Sequence, residues 1–359
     1  RRLPSAPPEW LRRDHPDVAT AVEQVLGQPG ISEVDTARIL TIVRQAQDDP
    51  ELATRLKRDL VTRGPAALVH TSGQRNLPGP RIAAHNLVAG QVRLGQVVPT
   101  RDSDASLVGG YGLDHDTLAT SLLVVGPPGS ATTNGITLPI IEHLSLSALA
   151  RCATVVVLDS GTSCDRPGWY DITVDPLEPT LRLDLYSGAF YPDVAADRLT
   201  AILLADSQPS TYETDVARNA LYACLGATQA AHTRWPTISE LLDLLRGEPT
   251  AIEQVTDRLS DSNDDDGEWR RLLTRRVTQA TGSSDPAAGL IERLAQLDRP
   301  IWHTLFDDPT RPVFNMEAIN QPARVRIALP HTHYPDTSRT LARLVTSQFI
   351  TTATHGNDD

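Results

Sequence analysis

The sequence predicts an α/β protein whose mostly parallel sheet is interrupted by an all-helical insertion. Three observations carry this reading. Short, continuous apolar runs read as strands covered on both faces: Ser121–Val125 (SLLVV), Ala153–Asp159 (ATVVVLD), Tyr170–Asp175 (YDITVD) and Arg324–Leu329 (RVRIAL). A helical pattern from Asn134 to about Arg151 joins the first two runs, as a parallel crossover requires. A second helical stretch, from about Pro192 to Asp307, separates the third run from the fourth.

Taken in order, residues 9 to about 68 read as helices. Val18, Val22, Val25 and Leu26 recur at helical spacing, and Ala37, Ile39, Leu40, Ile42 and Val43 do the same. Breaks at Gly27–Gly30 and Asp48–Pro50 divide them. Ser72–Pro80 reads as a linker, and short β-type segments follow around Gln91–Val98 and Ser106–Val108. Within the helical insertion, Thr237 with Glu240 three places on forms a capping box opening a helix to Arg246. An amphipathic helix from Thr337 to about Thr351 follows the last strand. The expected divisions are a helical N-terminal region (1–75), a linker (76–90), a first α/β part (91–205), an all-α insertion (206–310) and a return to the α/β part (311–359).

Composition narrows the function classes. The chain has 359 residues, of which 40% are apolar and only 4% aromatic, so aliphatic side chains must supply most of the packing. A formal charge of -12 argues against a generally basic nucleic-acid surface. The densest basic patch is Arg270, Arg271, Arg275 and Arg276, which reads as a solvated helix face. Any binding of DNA is therefore expected to be weak or indirect. Cys152, Cys164 and Cys224 are odd in number and lack C-x-x-C spacing, which argues against a disulfide framework and for a cytoplasmic setting. No apolar run approaches the ~18 residues of a membrane span, so any membrane association is expected through a partner or a segment outside this sequence. Asp261–Gly267 reads as an acidic loop, not a calcium loop, because Leu272 stands where a ligating Glu is needed. His331 and His333 lack a third ligand nearby.

The chemistry-bearing motif is Gly126-Pro127-Pro128-Gly129-Ser130-Ala131-Thr132-Thr133, followed by Asn134. It falls between an expected strand and an expected helix, the context of the G-x-x-x-x-G-K-[ST] phosphate loop. Glycines let successive N–H groups turn inward, and the helix N-terminus favours anions. In this register Thr133 is the hydroxyl that would sit on magnesium. Ala131 replaces the second glycine, where a methyl opposes positive φ. Thr132 replaces the lysine, so the cation for the β- and γ-phosphates is lost. Asp159, at the end of the second run, stands where a dinucleotide-binding fold places its ribose-binding acid. The G-P-P-G spacing does not match the G-x-G-x-x-G of that fold.

From about Gly95 to Ile350 the chain resembles the conjugative coupling ATPases, the TraG/TraD group of type IV secretion. The resemblance rests on pieces in a shared order: LLVVGPPGSATTNGITLPIIEHL, with Gly135 and Leu138-Pro139 matching a glycine and an apolar-proline stretch; TVVVLD and then VDPLEPTLRLD; the helical Tyr212–Gln229 segment; and RVRIALPHTHYPDTSRTLARLVTSQFI. It implies a P-loop NTPase (RecA-like) fold, ATP with Mg2+ as the cofactor, held weakly if at all, and secretion-system proteins or further copies of the chain as partners. It also implies that a Walker B strand would follow the helix ending near Thr351, and the sequence stops at Asp359 first. Ser160-Gly161-Thr162 departs from the family's Pro-Lys-Gly type turn. The expected function is a degenerate coupling-ATPase-like binding or assembly module with impaired hydrolysis. The alternatives are a fragment of an active ATP-dependent translocase and a dinucleotide-binding oxidoreductase.

Overall fold

The computed structural model describes residues 7–96, 110–127, 129–259 and 264–355. The protein is mixed α/β, with helices in the majority and small sheets. It divides into two compact units: Arg1–Val157 with Ser163–Ile172 and Gln321–Arg326, and Leu158–Thr162 with Thr173–Asn320 and Ile327–Asp359.

The first unit opens with α1 (Glu9–Asp14), α2 (Pro16–Leu26), α3 (Glu33–Gln45) and α4 (Pro50–Arg63). Their boundaries follow from local chemistry. Pro16 and Pro50 start α2 and α4 at the position where a missing N–H costs nothing. Ser32 and Asp49 accept the first free N–H groups of α3 and α4. Gly64, at φ 57°, turns the chain out of α4. Leu11, Val22, Ile39, Ile42, Leu56 and Leu60 close a core between these helices.

An antiparallel sheet follows: β1 (His85–Asn86), β2 (Gln91–Gln96) and β3 (Gly110–Asp114), with Val92 opposite Leu113 and a bulge between Arg93 and Gly95. The expected Gln91–Val98 segment is thus found over 91–96, whereas Ser106–Val108 lies outside the described residues. After α5 (His115–Ala119), a single π-helical turn, Thr133–Thr137, leads into α6 (Leu138–Leu149). Leu138, Leu146 and Leu149 pack with Val155, Val157 and Trp169 in a second core.

Three of the four expected core strands form one sheet: β4 (Val155–Asp159), β8 (Arg324–Ala328) and β5 (Ile172–Val174), in the order β4-β8-β5. β4 and β8 run parallel, since Val155 N–H donates to Ala323 O (2.9 Å) and Leu329 N–H to Asp159 O (2.8 Å). The expectation for Leu122–Val125 is corrected. That run is not a strand, and Leu123 and Val125 are 87% and 85% exposed. An apolar run of this length fits a buried strand or an exposed segment equally well, because only tertiary contacts choose.

In the second unit the expected helical block is present as α7 (Pro192–Leu203), α8 (Thr211–His232), α9 (Ile238–Arg246), α10 (Pro249–Thr256), α11 (Asp264–Ala280), α12 (Ala288–Ala295) and α13 (Pro300–Phe306). Both halves of the Thr237–Glu240 capping box are formed. α11 begins inside the segment expected to be an acidic loop, so residues 264–267 are helical; 261–263 lie outside the described residues. Acidic residues at a helix start complement its dipole, which a count of charges alone does not reveal. Residues 182–183 and 313–314 pair as a short parallel ladder, β6 with β7, and α14 (Pro335–His355) closes the chain. Among the described residues no helix is long and apolar enough to cross a membrane.

The crossing of α8 and α11 turns on one residue. Gly226 sits under the Trp269 ring, and a Cβ added there would overlap the indole. Gly226→Ala should therefore cost about 2–3 kcal/mol through overpacking. Urea denaturation of Gly226→Ala with and without Trp269→Leu tests this, because the smaller side chain should recover most of the loss.

Candidate functional site

The glycine-rich loop from Gly126 precedes α6, and two of its residues adopt positive backbone φ. Gly129 lies at φ 81° and Ala131 at φ 57°, so the position expected to want a glycine does adopt the left-handed region. The side chains have closed the space this backbone makes. A Cβ on Gly126 would strike Ser130 Oγ and lie 2.9 Å from Thr132 Cγ2, which places both side chains against the first glycine. Ser130 N–H donates to Pro127 O (3.1 Å) and Gly135 N–H to Ala131 O (2.7 Å), so two amides that could meet an anion are already used. Thr133 opens the π turn and Asn134 is exposed within it. Pro128 lies outside the described residues. No Lys or Arg occurs between Asp116 and Ala150, so neither the loop nor α6 carries a cation.

Two of the strand–loop–helix parts are therefore present. The loop and the helix are there, but Leu122–Val125 does not supply the strand. Asp159, the other expected site residue, ends β4 in the second unit; its Oδ1 accepts the Gly161 N–H (3.2 Å).

α6 carries polar chemistry that spacing did not single out. Glu142 and His143 are buried on this mostly apolar helix, which also buries Ser145 and Ser147. Glu142 accepts the Ile82 and Ala83 N–H groups (3.0 and 3.1 Å) and lies 2.6 Å from His85 Nε2. His143 Nε2 lies 2.9 Å from His115 Nε2, and the His85 and His143 rings are 5.4 Å apart. Burial, and then the fields of His115 and His85, push His143 down to about 3. His143 is thus neutral at pH 7. Beside this group, a cleft of about 470 Å³ is lined by His85, Gln91, Arg93, Tyr111 and Asp114 among others. The signal in the sequence was the polar pair Glu142-His143 inside LPIIEHLSLSAL; its partners, on β1 and after β3, share no spacing with it.

The basic patch is corrected. Arg276 is buried and bound to Asp285 and to the Leu245 carbonyl, and Arg270 is half-buried. Only Arg271 and Arg275 remain exposed, which halves the charge available to a phosphate backbone.

No family model matches the chain, and no curated protein matches it either.

Proposed function

We propose that the chain is a non-hydrolysing relative of the conjugative coupling ATPases that acts as a binding or assembly module of a type IV secretion system. Its partners are then other secretion proteins or further copies of itself, with DNA engaged weakly or indirectly. One observation carries the reading. A loop with glycine-like backbone angles at Gly129 and Ala131 leads into α6, yet Ser130 and Thr132 occupy it and no lysine is present. Loss of the charged contact removes about 1.5–3 kcal/mol of phosphate affinity, and hydrolysis in this class depends on neutralising the γ-phosphoryl charge.

Calorimetry with ATP and Mg2+ should give no saturable binding below millimolar concentration, and phosphate release should stay at background. A micromolar complex, or turnover above background, would sink the proposal. The variant Ala131→Gly with Thr132→Lys should raise ATP affinity by roughly 10- to 100-fold. It frees the left-handed position, removes the Thr132 side chain from Gly126 and adds a cation. Unchanged affinity in a folded variant would mean the loop is an ordinary turn.

A further inference from the structure

A second constellation lies in the helical block, remote in sequence from the glycine-rich loop and unused by the function proposed above. Asp298 precedes α13, His303 lies within it and Asp307 ends it, so one short helix returns three side chains to the same place. One ligand atom of each residue, a carboxylate oxygen of Asp298 and of Asp307 and a ring nitrogen of His303, lies within 4.8 Å of the other two. His303 Nδ1 is 4.0 Å from Asp298 Oδ1 and 3.7 Å from Asp307 Oδ2. Ligand bonds of about 2.0–2.2 Å put neighbouring donor atoms about 3–3.5 Å apart, so side-chain rotations that draw the donors together by about 1–2 Å complete the set.

Three features separate this group from ordinary acidic surface. Among the described residues, the ion-pair partner of both carboxylates is His303, and no Lys or Arg neutralises either one. Each donor oxygen is already oriented from behind: Ser239 Oγ–H donates to Asp298 Oδ1 (2.6 Å) and Ile238 N–H to Asp307 Oδ2 (3.0 Å). A carboxylate oxygen holding one such donor keeps a lone pair for a metal, and ligating carboxylates are normally held this way. Close by, the Tyr186 hydroxyl is buried without a hydrogen-bond partner, near enough to Asp307 and Glu240 to sense both charges.

We propose that Asp298, His303 and Asp307 bind one divalent transition-metal ion of the Zn2+ or Mn2+ class. The imidazole disfavours Mg2+ and Ca2+, which select oxygen, and the absence of a thiolate disfavours Cu(I). His303 is 49% exposed and Asp298 32%, so an ion enters from solvent and keeps open positions for water or a ligand from a partner.

The metal-stripped protein, titrated with Zn2+, Mn2+ and Mg2+ in separate calorimetric runs, should take up one equivalent of Zn2+ or Mn2+ and no Mg2+. His303→Ala should weaken that binding at least tenfold while leaving the unfolding midpoint unchanged, because His303 takes no part in holding the start of α9. Asp298→Asn should weaken it comparably, since it keeps an acceptor for Ser239 and removes a charge. With Co2+ as probe, the visible ligand-field absorption should vanish in His303→Ala. No one-equivalent binding in the wild-type protein, or equal binding in His303→Ala, would overturn the proposal and leave Asp307 as an acceptor for the start of α9 and Asp298 as a partner of Ser239 alone.

Discussion

Lowering the pH from 7 to 5 should destabilise the first unit by about 2 kcal/mol through His143 alone. The sign follows from the shift. In the fold His143 is pushed down to about 3, by burial first and then by the His115 and His85 fields. In the unfolded chain it titrates near 6.5. Between these values the unfolded state binds a proton that the folded state refuses, so stability is fully present above about 6.5 and falls as the pH drops toward 3. Titratable neighbours face this ring from two further elements: His85 on β1 and His115 after β3, with Glu142 beside it on α6. Urea denaturation at pH 7 and pH 5 on wild type, His143→Leu and His143→Gln reads the effect directly. Both variants should lose about 2 kcal/mol of the wild-type pH dependence. A pH dependence identical in all three proteins would show that His143 does not carry it.

Asp285→Ala should cost the second unit about 3–5 kcal/mol, the loss expected when a buried cation is stranded. Arg276 on α11 is 1% exposed and reaches two groups. Its Nη1 donates to Asp285 Oδ1 (2.8 Å), and its Nε donates to the Leu245 carbonyl (2.7 Å) near the end of α9. Burial alone would raise Asp285, but the Arg276 hydrogen bonds, the Ala287 N–H and the Arg276 charge together outweigh it and hold the carboxyl below its usual value. Removing the carboxylate leaves the guanidinium charge buried with only carbonyl dipoles for company. Arg276→Met combined with Asp285→Ala should be milder, at about 1–3 kcal/mol, because it removes the charge and leaves only the Leu245 carbonyl and the Ala287 N–H without their partners. Thermal and urea unfolding of the single and double variants decide. A double variant as unstable as Asp285→Ala would show that lost packing, not the stranded charge, sets the cost.

What was legible in the sequence was local. Helix periodicity and the breaks at Gly27–Gly30 and Asp48–Pro50 placed the helices of residues 9–63, and the Thr237 capping box opened one in the block after Pro192, because such signals act on amides within a few residues. Val155–Asp159, Ile172–Val174 and Arg324–Ala328 were legible as strands through their short apolar and β-branched segments. What failed depended on distant partners. Leu122–Val125 has a strand's composition but no neighbour to pair with among the described residues. Arg276 looked like surface charge, since the Asp285 that buries it lies beyond the end of its helix. The His85, His115, Glu142 and His143 group is assembled across β1, the start of α5 and α6, and no spacing rule links those positions. At the glycine-rich loop, the residue types Ala131 and Thr132 supply neither a second glycine nor a lysine, which the sequence alone states. The filling of the loop by Ser130 and Thr132 is a matter of packing and became visible only in three dimensions.

The π turn at Thr133–Thr137 sets the phase of everything after it. Such a turn holds one residue more than an α-helical turn, so it rotates the rest of the helix by about 100° relative to the loop. That rotation decides which side chains of α6 meet β1 and the residues after β3. With it, Glu142 and His143 are the ones that arrive at Ile82, His85 and His115. Without it, both would be carried off those bearings by one place, and an aliphatic neighbour, Ile141 or Leu144, would be brought round to one of them. Drift at the glycine-rich loop is thereby geared to the buried acid and imidazoles downstream: a one-residue deletion between Gly129 and Thr137 would leave the loop's composition almost intact and still uncouple the helix from its sheet.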